Sequence, residues 1–86
     1  MPSKTVRVGS AVGLHARPAA LIAQAVSAGA VPVTIAAGEG PAVDAGSALM
    51  IMTLGAKVGA TVTVESEDEA VLTQIADLVE QDLDAS

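Results

Sequence analysis

The sequence predicts an α+β open-faced β-sandwich, in which a four-stranded antiparallel sheet carries three helices on one face. Several short segments alternate polar and apolar residues with period two, which is typical of strands with one buried and one solvated face. Three other segments open with residues typical of helix starts and repeat apolar residues at helical spacing. In chain order the elements are β-α-β-β-α-β-α, so we expect the helices to cover the apolar side of the sheet.

Four strands are predicted from this alternation. Thr5-Val6-Arg7-Val8 and Thr61-Val62-Thr63-Val64-Glu65 each place valines on one face and polar side chains on the other. Val33-Thr34-Ile35 and Ala42-Val43-Asp44 flank the turn sequence Gly38-Glu39-Gly40-Pro41, which predicts a hairpin. The order of elements alone also permits other α+β arrangements, such as the ferredoxin-like one.

The first helix is predicted to begin near Pro18, which lacks a backbone N–H and has a fixed φ that suits a first helical turn. Two boundaries remain open. Arg17 can be the cap, because a residue before proline is biased away from the helical region; or His15 caps the helix, with Ala16 and Arg17 in the opening turn. The helix is expected to reach residue 28, with Gly29 as a left-handed residue just beyond it.

Ser47 is predicted to cap a short helix over residues 48–53, with Gly55 just past its end. Ser66 and Glu69 have the spacing of a capping box and predict the start of the last helix. That helix carries a broad apolar stripe. The stripe consists of Val71, Leu72, Ile75, Ala76, Leu78, Val79 and Leu83.

Composition predicts one domain over residues 1–86, because no linker divides the chain. The chain has no aromatic residue, so its core must be built from Val, Ile, Leu, Met and Ala. It also has no cysteine and one histidine, and its carboxylates show no metal-binding spacing, so no metal site is expected. The lack of cysteine is typical of a reducing compartment.

The charge and hydropathy patterns exclude two classes of partner. The net charge is −6 and only four residues are basic, which argues against nucleic acid. Polar residues interrupt every apolar run well short of the roughly 20 residues that a membrane span needs. The sequence therefore predicts no membrane insertion. The first residues, Met1-Pro2-Ser3-Lys4, show no hydrophobic signal core, so the expected location is cytoplasmic.

His15 is the candidate reactive residue because it is predicted to lie at the amino end of the first helix. The positive end of the helix dipole and the backbone N–H groups of the opening turn favour a negative charge there. Arg17 adds a guanidinium two residues on. A neutral imidazole can attack phosphorus in line, so a phosphoryl group suits this anion site best. The alternative is that His15 only caps or packs, as a lone histidine often does.

Two sequence blocks resemble the HPr family, the histidine-containing phosphocarriers of the bacterial phosphoenolpyruvate-dependent sugar phosphotransferase system. Gly13-Leu14-His15-Ala16-Arg17-Pro18 matches the active-site signature of that family. Gly46-Ser47-Ala48-Leu49-Met50-Ile51-Met52-Thr53-Leu54-Gly55 follows where the family has its regulatory-serine segment. The resemblance covers the whole chain and implies the strand order 1-4-2-3.

By this resemblance, His15 accepts a phosphoryl group at Nδ1 from enzyme I and passes it to the EIIA domain of sugar permeases. Arg17 and the backbone of Ala16 and Arg17 would bind the phosphoryl oxygens. Such a protein is a stoichiometric intermediate and not an enzyme; it needs no cofactor and is expected to be a monomer.

The resemblance also implies a docking surface and a regulatory site. Ala20, Leu21, Leu49 and Met52 would form an apolar docking rim around the histidine. Met52 can equally belong to the core, whereas the family pattern favours exposure of Leu49. Ser47 aligns with the regulatory serine, although a capping role also explains it fully. Gly46 stands where relatives often have a basic residue, which argues against regulation.

Two other function classes fit the sequence less well. A regulatory module could bind a carboxylate or phosphate reversibly at the helix start, without a covalent adduct. An autonomous enzyme is the weakest alternative, because the sequence places no second titratable group to act with His15.

Overall fold

The computed structural model describes residues 2–9, 13–14, 16–29 and 31–81. The elements that it contains follow the predicted order β-α-β-β-α-β-α. They are β1 (Ser3–Arg7), α1 (Ala16–Gly29), β2 (Val33–Ala37), β3 (Val43–Asp44), α2 (Ala48–Thr53), β4 (Thr61–Ser66) and α3 (Glu69–Glu80).

The four strands form one antiparallel sheet in the order β1-β4-β2-β3, as the resemblance implies. The central strand β4 pairs with β1 through Val62 opposite Val6, and with β2 through Val64 opposite Ile35. The predicted hairpin is confirmed, since β3 pairs with β2 through Val43 opposite Ile35. The α+β open-faced architecture is therefore confirmed.

The sheet has one apolar and one polar face, because its alternating residues sort by side. Ile35, Val62 and Val64 have no exposed surface and lie beneath the helices. On the other face Thr5 lies opposite Thr63, and their hydroxyl oxygens are 3.3 Å apart. The core is aliphatic, as the composition requires. Its largest fully buried side chains include Ile22, Ile35, Ile51 and Ile75.

The start of α1 settles the boundary that the sequence left open. Ala16 is already helical, so Ala16 and Arg17 lie in the opening turn and Arg17 is not the cap. The far end differs from the prediction, because Gly29 is the last helical residue and does not have a positive φ. Helix ends fray by a residue or two, so a terminal glycine costs little there.

The predicted cap of α3 was wrong by two residues. Asp68 is the cap, and its Oδ1 accepts hydrogen bonds from the N–H groups of Ala70 (2.9 Å) and Val71 (3.2 Å). Ser66 is instead the last residue of β4, where it pairs with Val33 and is fully buried. The sheet register holds Ser66 in place, and aspartate caps at least as well as serine.

The apolar stripe of α3 faces the core as predicted, with Leu72, Ile75, Ala76 and Val79 buried. The predicted stripe member Leu83 lies outside the described residues. Within the described ranges, none of the helices is long and apolar enough to cross a membrane.

Candidate functional site

The candidate site lies where the chain enters α1. Leu14 is buried with 3% of its surface exposed, whereas Ala16 and Arg17 are exposed in the first helical turn. Pro18 and Ala19 are buried and anchor this turn to the core. His15 lies outside the described residues, but it stands in sequence between Leu14 and Ala16, which the structure does describe. The opening turn places Ala16 and Arg17 at the positive end of the α1 dipole, as the sequence predicted.

The segment just before His15 is held against the loop that follows α2. The N–H of Leu14 donates to the carbonyl oxygen of Ala56 at 2.9 Å. Gly13 has a φ of 75°, and a Cβ at this position would collide with that oxygen and lie 2.8 Å from the Cα of Lys57. Only glycine fits both the positive φ and the close approach. The sequence motif therefore contains Gly13 because the backbone needs it.

A second contact holds the chain as it leaves β1. The N–H of Gly9 donates to the carbonyl oxygen of Val79 at 3.0 Å, near the carboxyl end of α3. A Cβ on Gly9 would collide with the carbonyl group of Glu80. The lack of a side chain lets strand and helix approach this closely. Both flanks of the loop that leads to His15 are thus fixed by backbone contacts.

The predicted docking residues lie on two helices that pack together, α1 and α2. Leu21 in α1 is 37% exposed and Leu49 in α2 is 67% exposed, which agrees with the exposure expected for Leu49. Ala20 is half-buried. Met52 is also half-buried and packs against the core, so it lies partly in the core and partly at the surface, the two environments predicted for it.

Ser47 caps α2 as predicted. Its Oγ accepts a hydrogen bond from the N–H of Met50 at 3.3 Å, and its own backbone is extended. The turn before it holds a contact that sequence reasoning missed, in which the N–H of Gly46 donates to Oδ1 of Asp44 at 2.8 Å. Aspartate often makes such a bond two residues on, and the Asp44-Ala45-Gly46 spacing was the signal for it.

The described residues bring no three of His, Cys, Asp and Glu together in a way that could hold a metal ion.

Comparison with known proteins identifies the family. Residues 2–81 match the family model described as the phosphorylation site of the HPr component of the phosphotransferase system. The chain belongs to the HPr family. Over 87 aligned positions it is 42% identical to the phosphocarrier protein HPr of Streptomyces coelicolor A3(2), covering 98% of this chain and 94% of that protein.

Two crystal structures of the HPr family are similar in fold. HPr from Bacillus anthracis gives a TM-score of 0.83 at 33% identity, over 91% of this chain and 95% of that one. HPr-C-His from Thermoanaerobacter tengcongensis gives 0.87 at 30% identity, over 100% and 99%. As an HPr, this chain is a phosphocarrier of the phosphotransferase system and not a catalyst, and its partners are proteins of that system.

Proposed function

We propose that His15 accepts a phosphoryl group from enzyme I and passes it to the EIIA domain of a sugar permease. The observation that carries the proposal is the start of α1 at Ala16, directly after His15, within a chain of the HPr family. The helix dipole and the exposed guanidinium of Arg17 then favour a dianion beside the imidazole. Ala16 and Arg17 would also bind the phosphoryl oxygens through their backbone N–H groups.

The reaction needs no cofactor in this scheme. The neutral imidazole attacks phosphorus through Nδ1, and the bond from phosphorus to the donor breaks as the new N–P bond forms. Transfer to the next protein is the same exchange, with Nδ1 as the leaving group. The dipole at the helix start disfavours the imidazolium, which has no lone pair at Nδ1 for the attack.

This function is tested by incubating the protein with phosphoenolpyruvate and a crude bacterial extract. We expect the intact mass to rise by one phosphoryl group, and the adduct to be labile to acid and stable to alkali. A reversible anion-binding module would show no mass change.

We further propose that residues 1–86 form a single domain that acts as a cytoplasmic monomer. The buried aliphatic residues of the sheet and the helices form one cluster, which supports the single domain. Size-exclusion chromatography with light scattering at two protein concentrations tests the monomer, and a mass that doubles with concentration would contradict it.

The docking rim formed by Ala20, Leu21, Leu49 and Met52 is the surface on which both partners would dock. Leu49→Glu is its sharpest test, because this side chain is the most exposed of the four. We expect the variant to bind enzyme I about tenfold or more weakly, since the complex loses the burial of a leucine and must desolvate a carboxylate. Its thermal midpoint should be almost unchanged. Calorimetric titration with enzyme I measures the affinity.

The matched control is Gln74→Glu, which adds the same charge on the exposed face of α3. We expect this variant to bind enzyme I like the parent protein. Equal affinities for Leu49→Glu and the parent would remove α2 from the docking rim.

Ser47 is proposed as a residue at which a negative charge blocks transfer, although this chain is a poor target for the kinase of its regulated relatives. Gly46 replaces the basic residue usual before that serine, and the turn instead contains the Asp44 carboxylate. A kinase that binds a basic residue there would meet a negative charge.

We expect Ser47→Asp to slow phosphotransfer through His15 while α2 stays capped, because aspartate is itself a good cap and the helix start tolerates its charge. Ser47→Asn is the matched control, since asparagine also caps without adding a charge. Transfer rates from enzyme I compare the three proteins. A rate for Ser47→Asp equal to that of Ser47→Asn would show that the rim tolerates charge. Efficient phosphorylation of Ser47 by the kinase of the regulated relatives would refute the proposal that this chain is a poor target for that kinase.

A further inference from the structure

Lys57 lies beside the candidate site, although it is 42 positions from His15 in sequence. The close approach of Gly13 to the Ala56 carbonyl and the Lys57 Cα brings the two backbones into contact. The bond from the Leu14 N–H to Ala56 fixes this arrangement at the residue directly before His15. The Lys57 side chain thus starts beside the two residues that precede His15, and it carries its ammonium group on a flexible four-carbon stem.

The ammonium group of Lys57 is available for such a role. Lys57 is exposed, and no hydrogen bond or ion pair joins its side chain to the part of the chain that the structure describes. A structural role as the cation at the negative end of the α2 dipole is the alternative, because α2 ends at Thr53 and its cap is Leu54.

The charges of this protein are also distributed unevenly along the sheet. The end at which β1 leads into the site holds Arg7, Arg17 and Lys57, together with the acids Glu39 and Glu80. Most other acids within the described ranges lie at or near the opposite end, with Lys4. These acids are Asp44, Glu65, Glu67, Asp68 and Glu69. In a chain with a net charge of −6, the site end is where basic residues are concentrated.

We propose that Lys57 is a second cation of the phosphorylation site, whose ammonium group stabilises the negative charge that a phosphoryl group brings to His15. The inference rests on the proposed function of His15. Arg17 reaches the phosphoryl group from α1, whereas Lys57 reaches it from the loop after α2. The group is therefore flanked by cations from two separate elements.

The test uses the sole histidine of the chain, whose imidazole protons give one unambiguous set of signals in an NMR pH titration. We expect Lys57→Gln to raise the pKa of His15 by about 0.3 at low ionic strength, because removal of a neighbouring unit charge in a largely aqueous setting favours the imidazolium. Lys57→Glu should raise this pKa by about twice as much, and Lys57→Arg should leave it unchanged. At about 1 M salt the differences should vanish, since the Debye length falls to about 3 Å.

Lys4→Gln is the matched control, because Lys4 is also an exposed lysine but lies in β1 toward the opposite end of the sheet. We expect it to leave the pKa of His15 unchanged. In the phosphorylated protein, Lys57→Gln should shift the equilibrium of transfer from enzyme I toward the unphosphorylated chain by about two- to fivefold, since the phosphoryl dianion loses a neighbouring cation.

The outcomes separate this inference from the proposed function. Equal pKa values of His15 in the Lys57→Gln, Lys4→Gln and parent proteins would overturn the role of Lys57 and leave it as a cation of the α2 terminus. This titration does not require that His15 be phosphorylated. A protein that accepts no phosphate yet shows the pKa differences would refute the proposed function and leave Lys57 placed beside the histidine.

Discussion

Replacement of His15 by alanine should abolish phosphate acceptance. His15 is the only histidine of the chain, so the variant has no imidazole that could form an acid-labile phosphoramidate. Intact mass after incubation with phosphoenolpyruvate and enzyme I should show no adduct, whereas the parent protein takes up one phosphoryl group.

A second variant and a fold measurement make this result specific. His15→Gln keeps a polar side chain of similar length and should be equally inactive. Both variants should unfold at nearly the same temperature as the parent, because a reactive side chain at the amino end of a helix is not needed to fill the hydrophobic core. An acid-labile phosphate on either variant would refute the assignment.

The second large effect is expected for Arg17→Ala, which should slow phosphotransfer about 10- to 150-fold. This range corresponds to the roughly 1.5–3 kcal/mol of a hydrogen bond to a charged group. The free energy of unfolding should change by less than about 0.5 kcal/mol, because the side chain is exposed. Rapid-quench measurement of transfer from enzyme I, together with denaturant unfolding, separates the two effects.

Arg7→Ala is the matched control for Arg17. Arg7 is also exposed, but it ends β1 on the polar face of the sheet, opposite Thr61 and away from the helices. We expect transfer by this variant to match the parent. If Arg7→Ala and Arg17→Ala slow transfer equally, the effect of Arg17 is a general effect of charge and not a contact with the phosphoryl group.

Most of the fold could be predicted because its signals are local. The alternation in Thr61-Val62-Thr63-Val64-Glu65 reports directly on which side of the strand is buried, and Ser47 caps α2 through its own side chain. The Asp68 cap was missed because Ser66 is an equally good capping residue by sequence. Only the pairing of Ser66 with Val33 shows that Ser66 belongs to β4 and not to the start of α3. The strand order came from the family resemblance, because local patterns do not encode which strands pair.

The candidate site was predictable in part for the same reason. Ala16, Arg17 and Pro18 carry their signals in adjacent positions, so the sequence narrowed the helix start to Ala16 or Pro18, and the structure shows that it is Ala16. The approach of Lys57 to Gly13 could not be read from the sequence, since it depends on how the loop after α2 packs on the chain before His15. Long-range contacts of this kind have no local signature.

Onward transfer distinguishes a phosphocarrier from a protein that is only phosphorylated, because a carrier must give up its phosphate as well as accept it. The isolated phosphorylated protein is mixed with the EIIA domain of a sugar permease, and the intact masses of both are followed with time. We expect the phosphoryl group to leave this chain and to be recovered, one for one, on the EIIA domain. Release as inorganic phosphate, or retention on this chain while EIIA stays unmodified, would contradict it.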